Sequence, residues 1–320
     1  MGNGLIELDV SSAGLLALRD RDGRDQLASS LQLERYRDRG EFWDAWDLAA
    51  DYRSQPLGVL CTDSLEWLDQ GPLVAHLVLR RQLGASCMRL DLRLKADTPW
   101  LELICGIDWR QTHELLRLEL PLATPAVRIA ADTSGGVIER PAAPMTAREQ
   151  ARWEVPVISW FASQSAAPGG GMAVLLDGPQ GVDWSSDRLG ISLLRAPTWP
   201  DPSADQGWHR QRLALMPFAG SWSDAGVSQA AIAFREPGWC ADLPAAPRQW
   251  FPSLPFPLTP VGLERHADGC VLKLLNSGSA RCRWTPGAGW RVRREADSMA
   301  ASAVVITPGE LVSLVVGQSS

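Results

Sequence analysis

Apolar and charged residues alternate along much of this chain. Met88, Leu90, Leu92 and Leu94 are interleaved with Arg89, Asp91, Arg93 and Lys95, and Leu116, Leu118 and Leu120 with Arg117 and Glu119. A period of two sends successive side chains to opposite faces of a strand, so these stretches predict half-buried strands with their charges toward solvent. Further strand-like runs are Leu5–Val10, Leu73–Arg80, Trp100–Trp109, Met172–Leu176, Leu189–Leu194, Gln229–Phe234, Val271–Leu275 and Leu311–Val316. Asp22-Gly23, Asp177-Gly178, Asp268-Gly269 and Ser277-Gly278 supply turns between them. Many strands joined by such turns predict a mainly β protein built from antiparallel sandwiches. One short helix is expected near Ala147–Ala151, because Thr146 and Glu149 have capping-box spacing.

Two segments break the alternation. Glu236–Pro260 carries seven prolines and little periodicity. It predicts a linker over 237–260 between a large domain, 1–236, and a small terminal β-unit, 261–320. The second is Ser192–Arg210, SLLRAPTWPDPSADQGWHR, with Trp199, Trp208, Asp201, Asp205, His209 and three prolines. It is too rich in proline for a helix or a central strand. Such a long ordered loop is uncommon in a compact domain unless it has a task.

Composition narrows the classes. The 320 residues are 45% apolar and 21% charged, with a net charge of -6 and a pI near 5.3. This acidic balance disfavours nucleic acid and anionic membrane as partners. No run approaches the ~20 apolar residues of a membrane span. MGNGLIELDV lacks the basic-then-apolar order of a secretory signal, and the six scattered cysteines form no Cys-x-x-Cys pair. Free buried thiols and a cytoplasmic location are therefore expected. Fifteen tryptophans stand against two tyrosines and six phenylalanines. Most are expected in the core, with those in loops left for ligand contact.

Four blocks in colinear order resemble the C-terminal β-domains of α-mannosidases of glycoside hydrolase family 38. They are Tyr36–Tyr52 (YRDRGEFWDAWDLAADY), Ile107–Pro121 (IDWRQTHELLRLELP), Gly136–Trp160 (GVIERPAAPMTAREQARWEVPVISW) and the long loop. With the opening GLIELDVSSAGLLALRDRDGRDQL they span nearly the whole chain. The resemblance implies a large antiparallel β-sandwich of the galactose-mutarotase-like supersandwich type. The sequence departs from the family at Gln111, at Ala142–Ala143, at Phe161–Ser163 and at Asp177-Gly178-Pro179. The framework blocks are kept while polar loop positions are not.

The family is a retaining glycosidase that uses two carboxylates and a zinc ion. The resemblance implies that the zinc ligands, two His and two Asp, belong to an N-terminal catalytic region with no counterpart in these 320 residues. No cofactor and no catalytic residue are expected in this chain. His76, His113, His209 and His266 lie far apart, without a close-spaced ligand pair. Nucleophile-elbow and phosphate-loop motifs are absent.

The resemblance sends an Arg from the long loop toward the substrate groove, and Arg195 takes that position; the alternative is a structural ion pair with Asp201 or Asp205. Asp44, Trp46 and Asp47 could form a sugar platform of acceptors around an indole, or Trp43 and Trp46 could anchor a core while the acids cap a turn. Trp199, Asp201, Asp205 and His209 could face the substrate or a catalytic domain, or could brace the loop itself. His113 reads as a hydrogen-bonded structural histidine.

Three functions are compatible with these features. The first is a non-catalytic C-terminal domain that completes the mannoside groove of a separate catalytic mannosidase chain. The second is a free-standing carbohydrate-binding module. The third is a mutarotase-like epimerase; it would need a His/Glu pair, and adjacent His113 and Glu114 would point to opposite faces of a strand.

Overall fold

A computed structural model describes residues 1–40, 42–166, 169–236 and 251–318. The protein is mainly β, and its paired strands are antiparallel. It divides into two compact units: Met1–Ala131 with Glu139–Trp222, and Asp132–Ile138 with Ser223–Ser320. Of the proline-rich segment, 237–250 lies outside the described residues, and Leu258–His266 is a strand.

A large and a smaller sheet form a sandwich. The large sheet runs, edge to edge, Gly136–Pro141, Ala126–Thr133, Trp160–Ser165, Gly170–Asp177, Gly207–Ala219, Leu101–Trp109, Ser86–Lys95, Val74–Leu83 and Ser64–Gln70. The smaller runs Val155–Pro156, Gly181–Ser185, Arg188–Leu194, Glu114–Pro121, Gln32–Arg37 and Pro56–Val59. The period-two rows meet between them. Leu90, Leu92, Leu103 and Ile107 from one sheet and Leu118 and Ile191 from the other are fully buried in one cluster. Each such side chain stabilises the fold by roughly 1.5–3 kcal/mol relative to exposure.

The charges opposite these rows do not all reach solvent. Arg117 is fully buried and Glu119 nearly so. On the outer face of the smaller sheet, Arg117 donates to Glu119 (2.9 Å), Ser192 (2.6 Å), Glu154 (3.3 Å) and Asp183. Arg188 and Arg53 close on Asp183 from other sides. Alternation of polarity could not distinguish this second, ionic layer from a solvated face. Gly190 makes room for it: a Cβ there would lie 2.3 Å from both Arg117 Nη2 and Asp183 Oδ1.

The second unit has a four-stranded sheet, ordered Leu258–His266, Gly269–Asn276, Leu311–Gln318 and Trp290–Arg294. Leu272, Leu274, Val292 and Leu314 form its core. Gln229–Phe234, expected as a strand, is part of a helix, Val227–Arg235, which buries Val227, Ala231 and Phe234. Those positions fall four and three apart, which is helical spacing. The short helix Ala147–Gln150 has the expected capping box. Among the described residues no helix is long and apolar enough to cross a membrane.

Candidate functional site

The chain crosses between the two sandwich sheets at neighbouring places. Residues 110–113 join Leu101–Trp109 to Glu114–Pro121, and residues 195–206 join Arg188–Leu194 to Gly207–Ala219. The long loop is therefore shorter than the block that announced it, because Ser192–Leu194 and Gly207–Arg210 are strand. The His113 amide donates to the Ala196 carbonyl (2.8 Å) and links the two crossings. His113, Ala196 and Asp205 sit at positive φ, near +53°, +49° and +58°. Each needs local support there, since a Cβ disfavours that region.

Asp205 supplies part of it. Its carboxylate accepts from the amides of Arg195 and Ala196, both at 3.0 Å. The His209 ring lies 2.9 Å from the Asp205 carbonyl. Asp201 holds the Ser203 amide (2.8 Å) and hydroxyl (2.7 Å), and these bonds keep its carboxyl below the ordinary pKa. Both acids thus shape the loop.

Arg195 clamps the 38–47 segment. Nε donates to Asp38 Oδ2 at 2.7 Å, Nη1 to the Ala45 carbonyl at 3.2 Å, and Nη2 to the carbonyls of Asp44 (3.0 Å) and Asp47 (2.6 Å). Its ion-pair partner is thus Asp38, not Asp201 or Asp205. Asp38 is 2% exposed and also accepts from the Ala49 amide. Nothing in the sequence singled it out, since it lies 157 residues from Arg195.

Asp44 is the second fastening. Oδ2 accepts from the amides of Thr198 (2.7 Å) and Trp199 (3.2 Å), and the His113 ring nitrogen is 3.0 Å away. Burial would raise the Asp44 pKa. The Thr198 amide, the His113 ring and the Trp199 amide outweigh it and hold the carboxyl below its usual value of 3.8. A carboxyl whose pKa falls on folding stabilises above its unfolded value and loses that contribution as pH drops through the folded one. Because Asp44 holds the Trp199 amide, tryptophan fluorescence is expected to be flat above about pH 5 and to change below the ordinary carboxylate range. Asp44→Asn should remove that inflection; an unaltered profile would mean that Asp44 does not fasten the loop.

The clamped segment carries the aromatic feature of the site. Trp43, Trp46 and Trp199 meet with ring centroids 5.6–6.3 Å apart and remain 58%, 68% and 50% exposed. Trp43 and Trp46 are accordingly not core anchors. Among the described tryptophans only Trp109, Trp160 and Trp284 are buried, so the expectation that most fill the core does not hold. The three indoles form a ledge with the exposed Asp47 and Asp201 nearby in the chain. Trp43 extends the set that sequence reasoning named, and its position in the WDAWD run was the available signal.

Among the described residues no three His, Cys, Asp or Glu side chains gather as metal ligands. His76 pairs with Asp91, His113 with Asp44 and His266 with Asp268, each in a different place. Glu114 is held by Arg35 (2.8 Å) while His113 is held by Asp44, so the two are not presented as an acid–base pair.

Residues 1–203 match the family model for the glycosyl hydrolases family 38 C-terminal domain. Human alpha-mannosidase 2C1 is 30% identical over 247 residues, 74% of this chain and 23% of that protein. Alpha-mannosidase G of Dictyostelium discoideum is 28% identical over 191 residues, 58% of this chain and 17% of that protein. This chain thus spans less than a quarter of the length of these curated relatives. The crystal structure of an alpha-mannosidase from Enterococcus faecalis V583 has the same fold over 98% of this chain and 41% of that one, with a TM-score of 0.78 at 12% identity.

Proposed function

The chain belongs to the glycosyl hydrolases family 38 C-terminal domain, and from that membership we propose that it is the non-catalytic β-domain of an α-mannosidase. It would complete the mannoside groove of a catalytic region carried elsewhere, and the zinc ion and catalytic carboxylates are assigned to that region. The observation that carries this reading is the ledge: three exposed indoles held in place by a half-buried arginine anchored on the buried Asp38. A loop fixed so firmly that it displays apolar rings to solvent is shaped for something that covers them.

Within this reading the candidate residues divide. Four of the five N–H groups of Arg195 are occupied by the clamp, so Arg195 positions the ledge. Asp44, Asp205 and His209 are positioning residues as well. Trp46, Trp199, Asp47 and Asp201, with Trp43, are left to face sugar or the catalytic region. A cytoplasmic setting, with free thiols, goes with the proposal.

The test is capture of partners from the source cells with the tagged chain, followed by assay for zinc-dependent α-mannosidase activity. Activity carried by a second polypeptide is expected. An inactive eluate from a chain that binds mannosides by itself would instead support a free-standing carbohydrate-binding module, which the exposed indoles also suit. An inactive eluate with no mannoside binding would overturn both.

A further inference from the structure

On the outer face of the large sheet, Trp208 lies against Gly106. A Cβ at Gly106 would stand 3.1 and 3.2 Å from two carbons of the indole's six-membered ring. Every other residue of Leu101–Trp109 has a side chain, so the missing one lets the indole rest on the strand. Trp208 is nevertheless 64% exposed, and its N–H meets no partner among the described residues.

Strand register fixes what surrounds it. Arg210 pairs with Gly106 and Gly106 with Arg89, while Trp208 pairs with Asp108 and Asp108 with Cys87. Alternation puts all six on the face away from the core, since Met88 and Ile107 between them are buried in it. Arg89 is bound to Asp91 (2.7 and 2.6 Å), and Arg110 to Asp108 (2.8 Å). Arg210 is exposed and makes no ion pair or side-chain hydrogen bond among the described residues. The surroundings of the indole thus hold one positive charge in excess, on a chain whose net charge is -6.

We propose that Trp208, Gly106 and Arg210 form a subsite for a pyranose that carries an anionic group. The indole takes the apolar C–H face of the ring, and its N–H is available to a hydroxyl. The Arg210 guanidinium binds the carboxylate or phosphate through paired N–H donors. This subsite stands whether or not a catalytic chain exists, and it shares no residue with the ledge.

The experiment follows the Trp208 indole N–H resonance of the isotope-labelled chain, assigned with Trp208→Phe. Glucuronate, mannose 6-phosphate, mannose and inorganic phosphate are titrated separately. The two anionic sugars are expected to shift that resonance saturably, with mannose needing about tenfold more, a difference of about 1.4 kcal/mol. Arg210→Gln, at an exposed position, should reduce the anionic sugars to the level of mannose. Gly106→Ala should lift the indole and weaken all the sugars, with far-UV circular dichroism confirming an intact fold. No saturable shift at Trp208 would overturn the subsite. Equal binding of mannose would overturn the anionic specificity, and an equal response to inorganic phosphate would overturn the role of the ring.

Discussion

A chain carrying Arg117→Met is expected to lose about 3–5 kcal/mol of stability, because the change strands buried carboxylates that one guanidinium now satisfies. Asp183 is the most exposed to this loss in energetic terms. Burial works against its charge, yet Arg117 and Arg188 bring its carboxyl down to about 2. Without Arg117, both Glu119 and Asp183 keep only Arg188 and Arg53 as cationic partners, and Glu154 loses its guanidinium. Urea denaturation of wild type and variant measures the difference. A loss below about 1 kcal/mol would show that the network relaxes onto its remaining arginines. Arg117→Lys should rescue only part, since an ammonium cannot span Glu119, Ser192, Glu154 and Asp183 as a planar fork does. The Asp183 contribution is full above the unfolded carboxylate value and fades as pH falls from there toward 2. The wild type should therefore hold this layer through mild acid, and Asp183→Asn should not show the same acid-dependent loss.

Arg195→Ala is expected to cost about 2–4 kcal/mol and to disorder the indole ledge. It leaves the carboxylate of Asp38, 2% exposed, without its cation and frees three carbonyls of the 44–47 turn. Near-UV circular dichroism should report the ledge directly, because three indoles in mutual contact give a strong signal that depends on their packing. Far-UV signal should persist, since the sheets do not depend on the clamp. In the proposed two-chain enzyme the same variant should lower activity chiefly through weaker association. If near-UV signal and association both remain, Arg195 is not what holds the ledge.

The parts of this fold that the sequence made legible are those governed by local period. The rows Met88–Leu94 and Leu116–Leu120 face the core as their alternation requires, and Thr146 and Glu149 cap their helix as their spacing requires. What was not legible depended on distant partners. Arg117 and Glu119 look solvent-facing by alternation and are buried because Asp183, Arg188 and Arg53 arrive from elsewhere in the chain. Gln229–Phe234 has apolar residues compatible with either period, and packing of Val227, Ala231 and Phe234 selects the helix. The WDAWD run marked the ledge, but not that Trp43 and Trp46 would lie outside the core. Asp38, which anchors the clamp, has no local signature at all.

That clamp also has a place in time. Its two halves, Asp38 and Arg195, are 157 residues apart, so they cannot meet until the whole segment between them has left the ribosome. Contacts of such long sequence separation form slowly, because a large loop must close before they contribute. Through that interval Trp43 and Trp46 belong to a nascent segment with nothing to fix it. A surface built for recognition is, during synthesis, a stretch that chaperones would shield and that neighbouring chains could capture.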